Sequence, residues 1–216
     1  MNRNRVRSRT IGFCLSLLLT GACPVFADHV IELPVLVAVG ANDRGAFEVM
    51  LMQWDQQSAP NPFVIKWANG RIKYAGAYLD AINHALTYAI VRTPSISHTG
   101  SIWLKGAAYA ATNTDGPSAG AAMAVGFLAL LRGDHIQRGI ALTGTIESDG
   151  RVGRVGAIPD KVRAAAREGY RTILIPQGQS NDPRWNLTGL AMSLNVVVKE
   201  VATIDDAYEL MTGQRL

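Results

Sequence analysis

The segment Thr114-Asp115-Gly116-Pro117-Ser118-Ala119-Gly120 is the clearest place for chemistry in this chain of 216 residues. Its turn residues end a loop, Pro117 suits a first helical position, and the Ala- and Leu-rich run that follows reads as a helix over 117–131 stopped by Gly133. A serine at such a corner has two assets. Its hydroxyl projects from an exposed turn, and the free N–H groups of the first helical turn lie beside it. Donors of that kind can hold the oxyanion of an acyl-transfer intermediate. The competing reading is that Ser118 only caps the helix. A serine nucleophile also needs a base. Lys161 is the candidate: it lies early in a helical pattern over 158–168, between apolar Ile158 and Val162. Lysine serves as a base when burial lowers its pKa, to roughly 7–8 in known cases. The competing reading here is a solvated lysine on an amphipathic helix.

Other chemistries find little support. The sequence has no Gly-x-x-x-x-Gly-Lys-Ser/Thr phosphate loop, no His-Glu-x-x-His and no Ser-x-x-Lys. His29, His84, His98 and His135 are scattered without ligand spacing, so neither a metal nor any other cofactor is expected. Gly150, Gly153 and Gly156 flank a short strand and read as turn glycines. Asn186-Leu187-Thr188 fits a glycosylation pattern that chance explains.

The elements that must hold Ser118 and Lys161 follow from periodicity. Strands are expected over 33–39, 47–54, 64–67 and 71–74, the last two joined as a hairpin by Asn69-Gly70. The period then changes, with Leu79, Ile82, Leu86 and Ile90 at helical spacing over 78–91. Further strands are expected over 102–108, 140–143, 151–155, 172–175 and 195–199, and a final helix over 204–211. The pattern indicates an α+β or α/β sandwich, taken as α+β with small mixed sheets packed against helices.

The first 27 residues read as a signal peptide, which leaves residues 28–216 as one domain. Arg3, Arg5, Arg7 and Arg9 form a cationic start, a short apolar run follows, and Val25-Phe26-Ala27 fits a cleavage site. The run is shorter than the ~20 residues that span a bilayer. Cys23 in Leu19-Thr20-Gly21-Ala22-Cys23 loosely fits a lipoprotein box as an alternative. The formal charge of +4 comes from the four leader arginines, and the other 17 basic residues balance 17 acidic ones. The basic balance therefore points to no nucleic-acid or membrane partner. Both cysteines, Cys14 and Cys23, also lie in the leader, so the mature chain would have neither a disulfide nor a thiol nucleophile. The expected location is periplasmic or secreted.

Two stretches resemble the proteolytic domain of Lon proteases. Asp115-Gly-Pro-Ser-Ala-Gly-Ala-Ala-Met-Ala resembles that family's nucleophile motif. Residues 141–165, from Ala-Leu-Thr-Gly-Thr through Pro159-Asp160-Lys161-Val162 to Ala165, look like its lysine motif. The separation of 43 residues between Ser118 and Lys161 agrees. Gly76-Ala-Tyr-Leu-Asp80 and Thr172-Ile-Leu-Ile-Pro176 extend the similarity. The resemblance implies a Lon-like fold and a Ser-Lys dyad peptidase, with Ser118 the nucleophile and Lys161 the general base. It also implies that Thr143 bonds the lysine, that Asp115 is an acidic neighbour of the serine, and that the amides of Ser118 and Ala119 form the oxyanion site. Unfolded polypeptide would be the substrate, cleaved without ATP, and a homo-oligomeric ring, hexamer or trimer, the assembly. The chain departs from the family pattern at Thr145, where members often carry Glu. It departs again at Trp103-Leu-Lys-Gly-Ala-Ala, where members are often His-rich and end in Pro-Glu-Gly. Alternatives are a catalytically silent binding protein on the same fold, and an accessory subunit that needs a chaperone or membrane partner.

Overall fold

The computed structural model describes residues 29–39, 44–56, 63–68, 73–74, 76–107, 113–114 and 116–216. Strands β1 (Val30–Val39), β2 (Arg44–Asp55) and β3 (Val64–Trp67) come first, then the short β4 (Lys73–Tyr74) and helix α1 (Gly76–Arg92). Next come β5 (Ser101–Ala107), β6 (Asn113–Thr114), a 3-10 turn over Pro117–Ala119 and helix α2 (Gly120–Arg132). Three short strands follow, β7 (Ile140–Leu142), β8 (Thr145–Ile146) and β9 (Val152–Gly153). The chain ends with α3 (Ile158–Arg167), β10 (Thr172–Pro176), α4 (Leu187–Leu194), β11 (Val197–Val201) and α5 (Ile204–Thr212).

The α+β expectation holds, with one large mixed sheet of seven strands, ordered β11-β10-β7-β1-β2-β5-β3, in place of several small ones. Among the described residues, only β4 with β6, and β8 with β9, form separate pairs. β1, β7, β10 and β11 run parallel, while β2 runs antiparallel to β1 and β5. The hairpin expected between β3 and β4 is a correction. β3 pairs with β5 in parallel, and β4 pairs with β6. Asn69 and Gly70 themselves lie outside the described residues.

Side chains alternate across the sheet as pleating requires. On one face Leu33, Val35, Val37, Met50, Met52, Leu142 and Leu174 join α1, α2 and α5 in the larger core. On the other, Leu36, Ala141, Ile173 and Ile175 pack with Ile158, Val162 and Ala165 of α3 and Leu187 of α4. Helix α2 is enclosed: Gly120 to Leu131 are all buried. A helix this apolar all round belongs inside a domain. Helix α3 is instead amphipathic, with Ile158, Lys161, Val162, Ala164 and Ala165 inward. Helix α5 starts with a capping box between Thr203 and Asp206. Among the described residues, no helix is long and apolar enough to cross a membrane.

Candidate active site

Ser118 sits in the middle of the 3-10 turn, half-buried, at the corner where β6 gives way to α2. The turn forms because Gly116 takes a φ of 93°, open to glycine at little cost, and Pro117 fixes the next φ. The expected single helix therefore begins as a tighter turn, and the α-helix proper starts at Gly120. No side chain caps either segment, so Ser118 is not a helix cap. The first N–H groups of such a turn have no partner within it.

Lys161 is 1 % exposed, which removes the solvated-lysine reading. It points inward with Ile158 and Val162 because the three share one face of α3. Its Nζ donates to Thr143 Oγ1 at 3.0 Å. Thr143 is fully buried just beyond β7. Its hydroxyl in turn donates to the carbonyl oxygen of Ser118 at 3.3 Å. The N–H of Gly144 donates to that same oxygen at 3.0 Å, and Ala121 N–H reaches Gly144 O at 3.0 Å. Ser118, Thr143 and Lys161, which lie far apart in sequence, thus share one hydrogen-bonded chain. The serine arrives from the larger core face and the lysine from the smaller. Thr143, at the end of β7, joins them. Asp115 lies outside the described residues.

Three features were not singled out from sequence. Gly45 in β2 lies against the first turn of α3: a Cβ there would stand 2.1 Å from Asp160 O and 2.6 Å from Lys161 N. Only a glycine lets strand and helix come this close. Glu48, 1 % exposed, faces the larger core. Its charge adds to burial in raising the hydroxyl pKa of Tyr78, and it does the same for Tyr74. These two rings stack at 4.7 Å, and Tyr74 is paired with Thr114, four residues before Ser118. The period-2 pattern of β2 carried this signal, since Glu48 shares its parity with Met50 and Met52. Gln179, also 1 % exposed, binds the backbone of Val155. Among the described residues no cluster of His, Cys, Asp and Glu could hold a metal ion.

Comparison with known proteins agrees with the motifs. Residues 106–210 match the family model of the Lon protease (S16) C-terminal proteolytic domain. The chain is 37 % identical over 102 residues to Lon protease 2 of Syntrophobacter fumaroxidans, covering 46 % of this chain and 12 % of that protein. It is 32 % identical over 122 residues to the Lon protease of Erwinia amylovora, covering 52 % and 16 %. With a mitochondrial Lon protease homologue of Saccharomyces cerevisiae it shares 43 % identity over 72 residues, covering 33 % and 6 %. The chain thus spans only a small part of the length of these relatives.

Proposed function

Because residues 106–210 belong to the proteolytic-domain family of Lon (S16) serine peptidases, we propose that this chain is a serine endopeptidase working through Ser118 and Lys161. The observation that carries the reading is the buried Lys161 Nζ, 3.0 Å from Thr143 Oγ1, whose hydroxyl is bonded to the Ser118 backbone. Burial of an amine favours its neutral, proton-accepting form. Thr143 Oγ1 offers Nζ a neutral acceptor.

The steps follow from these groups. Ser118 Oγ attacks the carbonyl carbon of a peptide bond, and its proton passes to the Lys161 amine. The oxygen of the tetrahedral intermediate takes up negative charge and is held by the N–H groups of Ser118 and Ala119. A single donor of this kind contributes about 10²–10³ in rate where it has been removed. Collapse breaks the C–N bond, and the leaving amine takes the proton from the Lys161 ammonium. Water then gives a proton to Lys161 as it attacks the acyl-serine, which releases the acid and restores the hydroxyl.

The reading extends to substrate and setting. Unfolded or flexible polypeptide is the proposed substrate, since the Lon relatives are named as proteases and an endopeptidase needs an extended chain in its site. The sequence offers no phosphate loop of the Gly-x-x-x-x-Gly-Lys-Ser/Thr type, so the proposed cleavage uses no ATP of its own. Export through residues 1–27, with cleavage after Ala27 or lipidation at Cys23, is proposed from the arginine-rich start and apolar run. Assembly into a homo-oligomer is proposed from the family, and partnership with a chaperone or membrane protein is open to the same test. The experiment is incubation of the purified protein with unfolded casein, read by mass spectrometry, beside Ser118→Ala and Lys161→Met. Cleavage by the parent and none by either folded variant is expected. Equal turnover in Ser118→Ala overturns the reading.

A further inference from the structure

Lys161 reaches its place from a corner that is strained. Ala157, the residue before α3, has φ 55° and ψ 31°, a left-handed conformation that disfavours any residue with a Cβ. Such conformations persist where the surroundings over-determine them, and they gather at functional sites. Lys161 N–H donates to Ala157 O at 3.0 Å, so the first turn of α3 hangs from this corner. No side chain caps the turn. Something outside the helix must therefore fix its start.

The loop after β10 does so. Gln179 Oε1 accepts from Val155 N–H at 3.0 Å, and Gln179 Nε2 donates to Val155 O at 2.9 Å. A primary amide places one acceptor beside one donor, and here the pair engages both backbone groups of one residue, as a neighbouring strand would. Gln179 is 1 % exposed, and replacing it by an apolar side chain would take both half-buried Val155 groups away from their partner. The loop that carries Gln179 is itself held at several points. Gln177 N–H donates to Val201 O at 3.0 Å, and Ser180 N–H to Glu200 Oε1 at 2.6 Å. Arg154, next to Val155, donates to Gly178 O at 3.2 Å and lies 3.6 Å from Asp182. Asp182 is in turn gripped by Arg184. The clamp is thus fixed to β10 and β11 on one side and to the corner of α3 on the other.

We propose that Gln179 is a positioning residue for catalysis: by clamping Val155 it sets the corner at Ala157 and thereby the reach of Lys161 Nζ to Thr143. This rests on the reading of Lys161 as the base. Gln179 touches no reacting atom, and its influence runs through the geometry of α3. A displacement of about 1 Å in a catalytic group is enough for a loss of about 10²-fold.

The test uses the full chain with an unfolded peptide substrate at 25 °C, with circular dichroism on every variant. Gln179→Leu keeps the bulk and removes both hydrogen bonds. The expected result is a fall in kcat of about 10²-fold, with KM within about twofold, because the substrate site is untouched while the base is misplaced. Labelling of Ser118 by a fluorophosphonate should slow in the same proportion. Gln179→Glu keeps the acceptor arm to Val155 N–H and loses the donor arm at neutral pH, so an intermediate kcat is expected. It also decides the matter if the leucine variant does not fold. A folded Gln179 variant with lowered melting temperature but parental kcat per folded molecule would reduce the residue to a structural one and overturn the proposal. So would a rise in KM with kcat unchanged. Ser118→Ala and Lys161→Met are run alongside: activity in those variants sinks the Ser-Lys reading itself, whereas their silence together with parental kcat in Gln179→Leu sinks the clamp alone.

Discussion

The two faces of the seven-stranded sheet supply opposite halves of the candidate site and are built to different standards. Ser118 arrives on the face covered by α1, α2 and α5, where α2 is buried along its whole length and Tyr78, Phe127 and Tyr208 are among the fully enclosed side chains. Lys161 arrives on the face covered by α3 and α4, and Leu187 is the sole buried residue of α4. The nucleophile side is thick and rests on bulk burial. The lysine side is thin, and its geometry rests on a few close contacts, Gly45 against Asp160 and Gln179 against Val155. Damage to the first face should therefore be read in stability, and damage to the second in turnover.

The largest effect should come from the lysine itself. Lys161→Arg keeps the positive charge but cannot give up a proton. Turnover on unfolded casein should fall by about 10⁴-fold, as it does when a member of a catalytic unit is removed. Retention of activity in the arginine variant would dissolve the functional half of the contrast. Phe127→Ala tests the other half. Emptying a fully buried site in α2 should cost about 3–5 kcal/mol, measured by denaturant unfolding. Turnover per folded molecule should stay at the parental level, and a parallel loss of both would show that the large core also sets the chemistry.

Gly45→Ala comes next. The new Cβ would meet backbone atoms of Asp160 and Lys161, which cannot swing aside like a side chain. The first turn of α3 must shift, and turnover should fall about 10²-fold, with the unfolding midpoint lowered less than in Phe127→Ala. Thr143→Val should be milder. It keeps the shape but neither accepts from Nζ nor donates to Ser118 O. A loss of about tenfold is expected, in line with a hydrogen bond to a group that becomes charged, and Thr143→Ser should recover most of it.

Much of this contrast was legible in the chain, for identifiable reasons. The nucleophile turn announces itself through Gly116 and Pro117, and α3 through an apolar spacing that places Lys161 with Ile158 and Val162. Glu48 could be read inward from the alternation of β2. Other features depend on partners distant in sequence. Asn69-Gly70 reads locally as a hairpin turn, yet β3 finds β5 and β4 finds β6, because non-local pairing and burial set the sheet order. Helix α4 has little signal in the sequence. It is short, holds Gly189 in its interior, and buries little besides Leu187, so its apolar pattern is weak. Asn186, which looked like part of a chance sequon, is its cap and accepts from Gly189 N–H. Gly45 and Gln179 carry no local signal, since a close approach or a clamp exists only once two segments have met.

The smallest expected effect lies in the clamp loop and is read through pH. Asp182 is held at a pKa of about 2, below its ordinary value of 3.8, chiefly by the Arg184 side chain, then by the Arg184 backbone N–H, with Arg154 adding its charge. A carboxyl whose value is depressed in the folded protein contributes stability that is present above the unfolded value and disappears as pH falls through the folded one. The contribution of Asp182 should thus be complete above about pH 4 and vanish toward about pH 2. Asp182→Asn has no charge to lose. Subtracting its unfolding free energy from the parental one at each pH removes the other carboxyls, which titrate alike in both proteins. The difference should be flat from neutral pH down to about 4, then decline towards pH 2. A difference that stays constant across that window would mean that Asp182 holds the loop by shape and hydrogen bonding alone. Turnover at neutral pH should fall less than in Gln179→Leu, because Arg154 still reaches Gly178 O and Gln179 still holds Val155. If Asp182→Asn instead matched the glutamine variant in turnover, the ion pairs rather than the amide would be setting the corner of α3.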